Sequence, residues 1–375
     1  MDNKCLIVII SLNQVYYTRG CIESILKNTD YPHRILIVDN GSDTETIEYL
    51  KYLKEGNIAE VIFNNENRGW VKAVNQGVYY SDSLYVCIMN NDTIVYPGWL
   101  SEMISIIQKD DSIGLVNPLW ELPKRFIRTR EDYFNKIVTN QRGQFIETDW
   151  VRGFCFLTKR EVINKVGGLN EAFSPAYYDD WDYSIRAIRA GFRCVRAQGA
   201  FVWHYKNITY PKVLGGSEFN SLFQEKEKVF YGRWGRPLRI LLITNSLSNE
   251  NLPLLKDFGL LLLRDQNKLF IISSQRELNI EHTNCRMRYS RTPMVGMRAV
   301  LNIMNNFRHS SSKRYDLILC SPKINKFLKK FFFIRNNYLI KEIDYHYMTW
   351  WLKRRVQVKE RRKYVRLDAS NWMHR

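Results

Sequence analysis

The 375-residue chain lacks three features that would each indicate a class of protein. Its seven cysteines stand singly with no CxxC pair, which argues against a zinc site or a disulfide framework and favours the reducing cytosol. No run of about 20 apolar residues occurs, so we expect no transmembrane helix. The start, MDNKCLIVIISLN, has an early acidic residue and no small-residue cleavage site, and it predicts a first strand rather than a signal peptide.

Acidic residues are scarce too, but only in the last third of the chain. Residues 1–236 contain 29 Lys and Arg against 28 Asp and Glu, whereas residues 237–375 contain 27 against 10. This asymmetry predicts two units, the second of which binds an anionic partner. An anionic membrane surface is favoured over nucleic acid, because the tail places MTWW beside KRR and the chain has no recognised nucleic-acid motif. A solvated basic face is the plain alternative.

The first part of the chain alternates apolar strands with amphipathic helices. CLIVII, RILIV, VIF and LYVCIM predict strands, and helical patterns lie between them. This alternation predicts an α/β fold with a mainly parallel sheet flanked by helices. Ligands of such sheets bind beyond the carboxyl ends of the strands, where Ser11, Asp39, Asn64 and Asn90 stand.

A break in the pattern predicts the domain boundary. Gly232, Gly235 and Pro237 interrupt the chain, and LRILLITNS then starts a new strand and polar loop. We predict a first domain at residues 1–236, a smaller Rossmann-like α/β unit at 237–345, and a basic aromatic tail at 346–375.

Two stretches near the first strand ends favour a nucleotide site. In VDNGSDT, the Asp39 carboxylate can accept a hydrogen bond from a base N–H, although the stretch could equally be a simple helix N-cap. In NNENRGW, Arg68 and Gly69 open a helix where a cation and free N–H groups can meet a phosphate, and an ordinary loop is the alternative.

Two further stretches favour group-transfer chemistry. MNNDT presents Asn90, Asn91 and Asp92, oxygen-bearing side chains of the kind that a hard divalent cation and sugar hydroxyls require, unless it is only a polar turn. DDWDYSIR crowds acids at a helix start, which can supply a general base or merely complement the helix dipole.

Seven stretches, taken in order, resemble one family. They are VIISLN, ILIVDNGSDT, NNENRGWVKAVNQG, MNNDTIVYPGWL, GFCFLTKREVINKVGGLNEAF, DDWDYSIRAIRAGF and VWH. Residues 4–235 thereby resemble a family-2 glycosyltransferase of the GT-A fold, similar to rhamnosyltransferases. The resemblance implies an inverting transfer of one sugar from a nucleotide-diphosphate donor to a lipid-linked or polysaccharide acceptor, with Mn²⁺ or Mg²⁺. Residues 238–345 resemble half of a GT-B Rossmann domain.

The resemblance also implies roles for particular residues. Asp180 would be the general base and Asp179 would contact the acceptor, while Asp92 and His204 would hold the metal. The nucleotide-sugar donor would lie against Ser11, Asn13, Asp39, Asn40, Arg68, Gly69, Asn90 and Asn91. Two positions depart from the family, since Asn90 and Asp179 stand where an Asp and a Glu are usual. We expect a cytoplasmic protein that binds the inner face of a membrane through residues 237–375.

Overall fold

The computed structural model describes residues 4–122, 129–205, 216–245, 247–308, 314–343, 345 and 348–349. The chain divides into two compact units, Met1–Gly235 and Arg236–Arg375, which we name the first and the second unit. The predicted tail, 346–375, lies outside the described residues apart from 348 and 349. No helix in the described residues is both long and apolar enough to cross a bilayer.

The first unit is built on a single large sheet. Its strands are β1 (Cys5–Ser11), β2 (His33–Asp39), β3 (Glu60–Phe63), β4 (Tyr85–Asn90), β5 (Thr93–Val95), β6 (Ile113–Leu119), β7 (Phe145–Thr148), β8 (Cys155–Lys159) and β9 (Arg193–His204). They lie in the order β3-β2-β1-β4-β8-β6-β9-β5, and β7 pairs with β9. The half containing β1 to β4 is parallel, and most of the antiparallel pairs involve β8 and β9.

Helices cover both faces of this sheet. They are α1 (Val15–Asn28), α2 (Thr44–Glu55), α3 (Trp70–Val78), α4 (Trp99–Gln108), α5 (Arg130–Tyr133), α6 (Arg160–Val166), α7 (Asp179–Arg189) and α8 (Gly216–Trp234). The predicted α/β class, with a mainly parallel sheet flanked by helices, is confirmed.

The strand β1 shows why an unbroken apolar run forms the centre of this sheet. All seven of its residues are buried, and alternate side chains enter two different cores: Cys5, Ile7 and Ile9 pack with α1 and α4, and Leu6, Val8 and Ile10 pack with α3. Strands buried on both faces are expected to be continuously hydrophobic. Each buried Ile or Val side chain contributes about 1.5–3 kcal/mol.

The second unit contains a smaller, wholly parallel sheet. Its strands are β10 (Arg239–Thr244), β11 (Lys268–Ser273), β12 (Cys285–Tyr289), β13 (Leu317–Cys320) and β14 (Ile340–Glu342), in the order β12-β11-β10-β13-β14. Its helices are α9 (Asn251–Arg264), α10 (Val295–Phe307), α11 (Pro322–Leu328) and α12 (Phe332–Asn337). The expected C-terminal α/β unit is therefore present.

Candidate active site

The carboxyl ends of the central strands place three predicted residues at one edge. Strand β1 pairs in register with β2, so Ser11 lies opposite Asp39. On its other side, Ile10 lies opposite Asn90 of β4. The parallel arrangement therefore brings Ser11, Asp39 and Asn90 together, although 79 positions separate the first from the last.

Two buried oxygens at this edge have no hydrogen-bond partner among the described residues: Ser11 Oγ and Asp39 Oδ1. The other carboxylate oxygen, Asp39 Oδ2, accepts a hydrogen bond from the Ser42 backbone N–H at 3.2 Å. A buried polar group without a partner costs about 1–3 kcal/mol. Ser11 Oγ and Asp39 Oδ1 are therefore suited to a polar ligand. Such a ligand would donate a hydrogen bond to the Asp39 carboxylate and form another with the Ser11 hydroxyl.

Asn13 joins the two loops that flank this pocket. Its backbone N–H donates to Ser42 Oγ at 2.7 Å, and its own Oδ1 accepts from the Asp43 N–H at 2.7 Å. Asn13 also has a left-handed backbone, with φ of 55°. The side chain thus fixes the loops after β1 and β2 against each other, which shapes the pocket.

Asn40 is used mainly to hold the loop before α3. Its amide donates to Asn67 Oδ1 at 2.8 Å, and its Oδ1 accepts from the Arg68 N–H at 3.0 Å. Gly69, with φ of 80°, follows, and a Cβ there would lie 2.8 Å from Pro175 Cβ. Only glycine fits this position, and the loop leaves the Arg68 side chain exposed at the start of α3.

The two residues after β4, Asn91 and Asp92, have different surroundings. The Asn91 amide donates to Thr18 Oγ1 of α1 at 2.8 Å, and the side chain is buried. Asp92 is also buried, and the next residue, Thr93, pairs with His204 of β9. This antiparallel pairing brings Asp92 beside His204.

Asp92 and His204 form a compact pair of potential metal ligands. Asp92 Oδ1 lies 3.1 Å from His204 Nε2. The Asn90 amide nitrogen lies 3.3 Å from the same ring nitrogen. Asp92 Oδ1 has no hydrogen-bond partner in the described part of the chain.

The spacing of this pair suits a hard divalent cation. Two neighbouring ligands, each about 2.1 Å from an octahedral ion, are about 3.0 Å apart. Within the described residues, no group of three or more His, Cys, Asp or Glu side chains could hold a metal. Asp92 and His204 would therefore leave the remaining coordination positions to substrate oxygens and water.

Two adjacent acids begin helix α7. Asp179 is buried and accepts a hydrogen bond from Trp70 Nε1–H at 3.1 Å. Asp180 Oδ2 accepts from the Gly153 backbone N–H at 2.8 Å, and its Oδ1 accepts from the Trp181 N–H at 2.8 Å. The two carboxyl groups thus have different surroundings.

Burial, opposed by hydrogen bonds from backbone N–H groups, raises the pKa of Asp180 to about 6. The pKa of Asp179 is also raised, first by burial and then by the charge of Asp180. At neutral pH Asp180 is a carboxylate that can take up a proton.

The third acid of α7, Asp182, is structural. It is fully buried, its Oδ2 accepts from Arg186 Nε at 2.7 Å, and its Oδ1 accepts from Trp234 Nε1–H at 3.0 Å. Asp182 and Arg186 stand at i and i+4, a spacing at which side chains on a helix meet. Asp182 therefore fastens α7 to α8 and takes no part in the pocket.

A short segment, Gly153–Phe154, joins the acids to the pair Asp92 and His204. It begins the fifth of the seven resembling stretches, although no role was predicted for it. Gly153 donates to Asp180. The Phe154 ring stacks on the His204 ring, with centroids 4.8 Å apart and planes 13° apart, and its C=O accepts from the Asn90 N–H at 2.8 Å. These two consecutive residues thus contact Asp180, His204 and the end of β4. No spacing in the sequence signals this contact.

Comparison with known proteins relates the first part of this chain to a family. Residues 6–167 match the sequence profile described as Glycosyl transferase family 2. A Sinorhizobium fredii protein, Uncharacterized protein y4gI, is 26% identical over 229 residues, which are 54% of this chain and 24% of that protein. The Staphylococcus aureus poly-beta-1,6-N-acetyl-D-glucosamine synthase is 26% identical over 196 residues, 48% of this chain and 44% of that protein. The chain therefore spans less than half the length of these relatives.

A solved structure gives a similar overlap. The mannosyltransferase PcManGT from Pyrobaculum calidifontis, in complex with GDP-Man and Mn²⁺, has 16% sequence identity and a TM-score of 0.45. The overlap covers 60% of this chain and 64% of that chain. The match of residues 6–167 supports the family resemblance, and the described sheet agrees with the expected α/β class.

Proposed function

We propose that this chain, a glycosyltransferase of family 2 by the match of residues 6–167, transfers a single sugar from a nucleotide-diphosphate donor to a hydroxyl of a lipid-linked or polysaccharide acceptor. One observation carries the proposal. The segment Gly153–Phe154 contacts both Asp180, a potential base, and His204, which lies 3.1 Å from Asp92. A proton acceptor and two ligands for a phosphate-binding cation thus border the same pocket.

The nucleotide of the donor lies at the ends of β1 and β2. Asp39 Oδ1 accepts a hydrogen bond from a base N–H, and Ser11 Oγ contacts the base or the ribose; both atoms are buried without a partner in the described residues. The exposed Arg68 at the start of α3 is available to the diphosphate. Asn13 and Asn40 support this part of the site by fixing its loops.

Asp92 Oδ1 and His204 Nε2 would hold a divalent cation, Mn²⁺ or Mg²⁺, with Asn90 supporting the histidine. When bound, such an ion offsets the negative charge that develops on a departing diphosphate. The Phe154 ring fixes the plane of His204 and excludes water from one face of it. The substitution of Asn90 for the usual acid removes one negative charge from this part of the site.

Asp180 acts as the general base in a single displacement. The acceptor oxygen bonds to the anomeric carbon while the bond from that carbon to the diphosphate oxygen breaks, which inverts the configuration. The acceptor proton passes to the carboxylate of Asp180, which is ionised at neutral pH because its pKa is about 6. Asp179, held by Trp70, keeps its proton longer and contacts the acceptor.

The test starts with a thermal-shift screen of UDP-, GDP- and dTDP-sugars with Mn²⁺ or Mg²⁺, which identifies the donor. We then expect Asp180→Asn to lower the transfer rate about 10²–10⁴-fold, because a positioned base contributes that factor. Donor affinity should change less than about twofold, since Asp180 lies on the acceptor side. The exposed Asp111, changed to Asn, is the control with the same chemistry. Transfer by Asp180→Asn at nearly the wild-type rate would refute the assignment.

The excess of basic residues in the second part of the chain supports a role in binding the protein to a surface. We propose that residues 237–375, with 27 cations against 10 acids, bind an anionic membrane surface where a lipid-linked acceptor lies. Sedimentation of the full chain with vesicles containing anionic lipid should be strong at low salt and should survive competition by a 20-base-pair DNA duplex. Binding to the duplex alone would instead indicate nucleic acid.

A further inference from the structure

Arg152 occupies an unusual position beside the acid pair. Its side chain is exposed, and Cζ lies 3.8 Å from the centroid of the Trp150 ring and 5.5 Å from that of Trp120. Its backbone is held from behind, because its N–H donates to Oδ1 of the buried Asn117 at 2.7 Å. The guanidinium is therefore fixed on an aromatic surface and is not free to sample many rotamers.

A second arginine lies against the same aromatic surface. Arg196 of β9 places its Cζ 5.8 Å from the Trp120 ring centroid. Its Nε atom is buried and has no hydrogen-bond partner among residues 4–122, 129–205 and the other described ranges. Burial lowers the pKa of Arg196, and the charge of Glu121 acts on both arginines. Two cations thus share one indole.

Neither arginine is neutralised by a close acid in the part of the chain that the structure describes. The carboxylates whose charges act on Arg152 are Asp180, Asp149 and Glu121, and none of them makes an ion pair with it within 4.0 Å. A guanidinium stacked on an indole keeps its in-plane N–H donors, which match the two oxygens of a carboxylate or phosphate. An oxyanion is therefore a partner whose shape and charge suit this guanidinium.

The chain places this fork on the acceptor side of the site. The residue after Arg152 is Gly153, whose N–H donates to the general base Asp180. We propose that Arg152, supported by Arg196, binds an oxyanion carried by the acceptor, so that the acceptor is acidic close to its reacting hydroxyl. This inference rests on the proposed function. Two sources share the chemistry: the phosphate of a lipid-linked diphosphate, and the carboxylate of an acidic glycan.

The experiment measures binding without turnover, using the full chain in EDTA. Tryptophan fluorescence, to which Trp120 and Trp150 contribute, is followed during titration with two matched pairs of probes. Dimethylallyl diphosphate is compared with dimethylallyl alcohol, and methyl glucuronide with methyl glucoside. We expect one anionic probe to bind at least about tenfold more tightly than its neutral counterpart, because hydrogen bonds to charged groups are the strong ones.

Variants decide whether Arg152 is responsible. Arg152→Gln should weaken binding of that anionic probe about tenfold or more, and Arg196→Gln should weaken it less. Arg152→Lys keeps the charge but loses the fork, so we expect a smaller loss than for Arg152→Gln. The control is Arg276→Gln, because Arg276 is also exposed and stacked, with Cζ 4.7 Å from the Tyr289 ring centroid, but belongs to the second unit. Arg276→Gln should change the dissociation constant less than about twofold.

The outcomes distinguish a lipid-linked diphosphate from an acidic glycan. They also distinguish a failure of this inference from a failure of the proposed function. A preference for the diphosphate indicates a lipid-linked acceptor, and a preference for the glucuronide indicates an acidic glycan. Equal binding of anionic and neutral probes, or equal binding by wild type and Arg152→Gln, would overturn the inference. A tenfold loss of UDP or GDP affinity in Arg152→Gln, measured with Mn²⁺, would also overturn it, because Arg152 would then bind the donor. Arg152-dependent binding in a protein without transferase activity would leave the site standing and refute only the proposed function.

Discussion

The two units of this chain build the same half-sheet and equip it differently. Strands β3-β2-β1-β4 of the first unit and β12-β11-β10-β13 of the second are parallel and lie in the same order relative to the chain. The central strand of each ends in a fully buried hydroxyl residue, Ser11 or Thr244. Neither hydroxyl has a hydrogen-bond partner among the described residues. Topology alone thus produces the same crevice twice.

The neighbouring strand ends differ in charge. Strand β2 ends in Asp39, which has one carboxylate oxygen without a partner in the described chain. Strand β11 ends in Ser273, whose Oγ accepts from the Gln275 N–H at 3.0 Å. The acid at the end of β14, Glu342, already accepts from the Asn325 amide at 2.6 Å. The comparison teaches that the shared fold supplies the location and that the carboxylates of the first unit supply the chemistry.

The largest effect should come from removing the acid of the metal-ligand pair. Asp92→Ala leaves His204 without its partner oxygen, and we expect the Mn²⁺-dependent affinity for the nucleotide-sugar to fall about 100-fold. The measurement is calorimetric titration of the donor with Mn²⁺ and with EDTA. The control is Asp257→Ala, at an exposed acid of the second unit. If Asp92→Ala and Asp257→Ala bound the donor equally tightly, with or without metal, Asp92 would have no role in metal-dependent binding. The first unit would then not differ from the second in this respect.

The next effect concerns pH and sharpens the role of the first unit. The pKa of Asp180 is raised to about 6, above the ordinary range of an Asp, and the base must be ionised to accept a proton. The transfer rate should therefore rise about tenfold per pH unit below pH 6 and level off above it. A profile of kcat/KM from pH 4.5 to 8 at constant ionic strength measures this. A rate that is flat between pH 4.5 and 7 would contradict Asp180 as the base.

The sequence predicted much of this first unit and less of its site. The strand ends could be aligned because parallel strands finish at one edge, and the order of motifs indicated that Asp92 and His204 belong together. The use of Asn40 and Asn91 within the protein could not be predicted, since the choice of partner for a carboxamide depends on loop geometry. Their roles toward a donor stay predictions.

The cluster of aromatic rings around Trp120 and Trp150 could not be predicted from the sequence either. Trp150 stacks on Trp181 at 5.1 Å between ring centroids, and Trp120 lies 5.7 Å from Phe154. These contacts join residues 30 or more positions apart without periodicity, so only tertiary packing creates them. Residues 118–149, which fall in none of the resembling stretches, contain α5 and β7 in their described part.

The smallest effect tests the two equivalent hydroxyls against each other. If the second crevice has no ligand, Thr244→Val replaces an unpaired buried hydroxyl by an isosteric methyl group. The free energy of unfolding should then stay the same or rise by up to about 1 kcal/mol, and donor affinity should not change. Ser11→Ala should be equally benign for stability, yet weaken donor binding several-fold, because we propose that its hydroxyl contacts the nucleotide. Denaturant unfolding and calorimetric donor titration of both variants give the answer. A loss of stability in Thr244→Val would show that the Thr244 hydroxyl makes a hydrogen bond. Unchanged donor affinity in Ser11→Ala would show that Ser11, like Thr244, does not bind the donor.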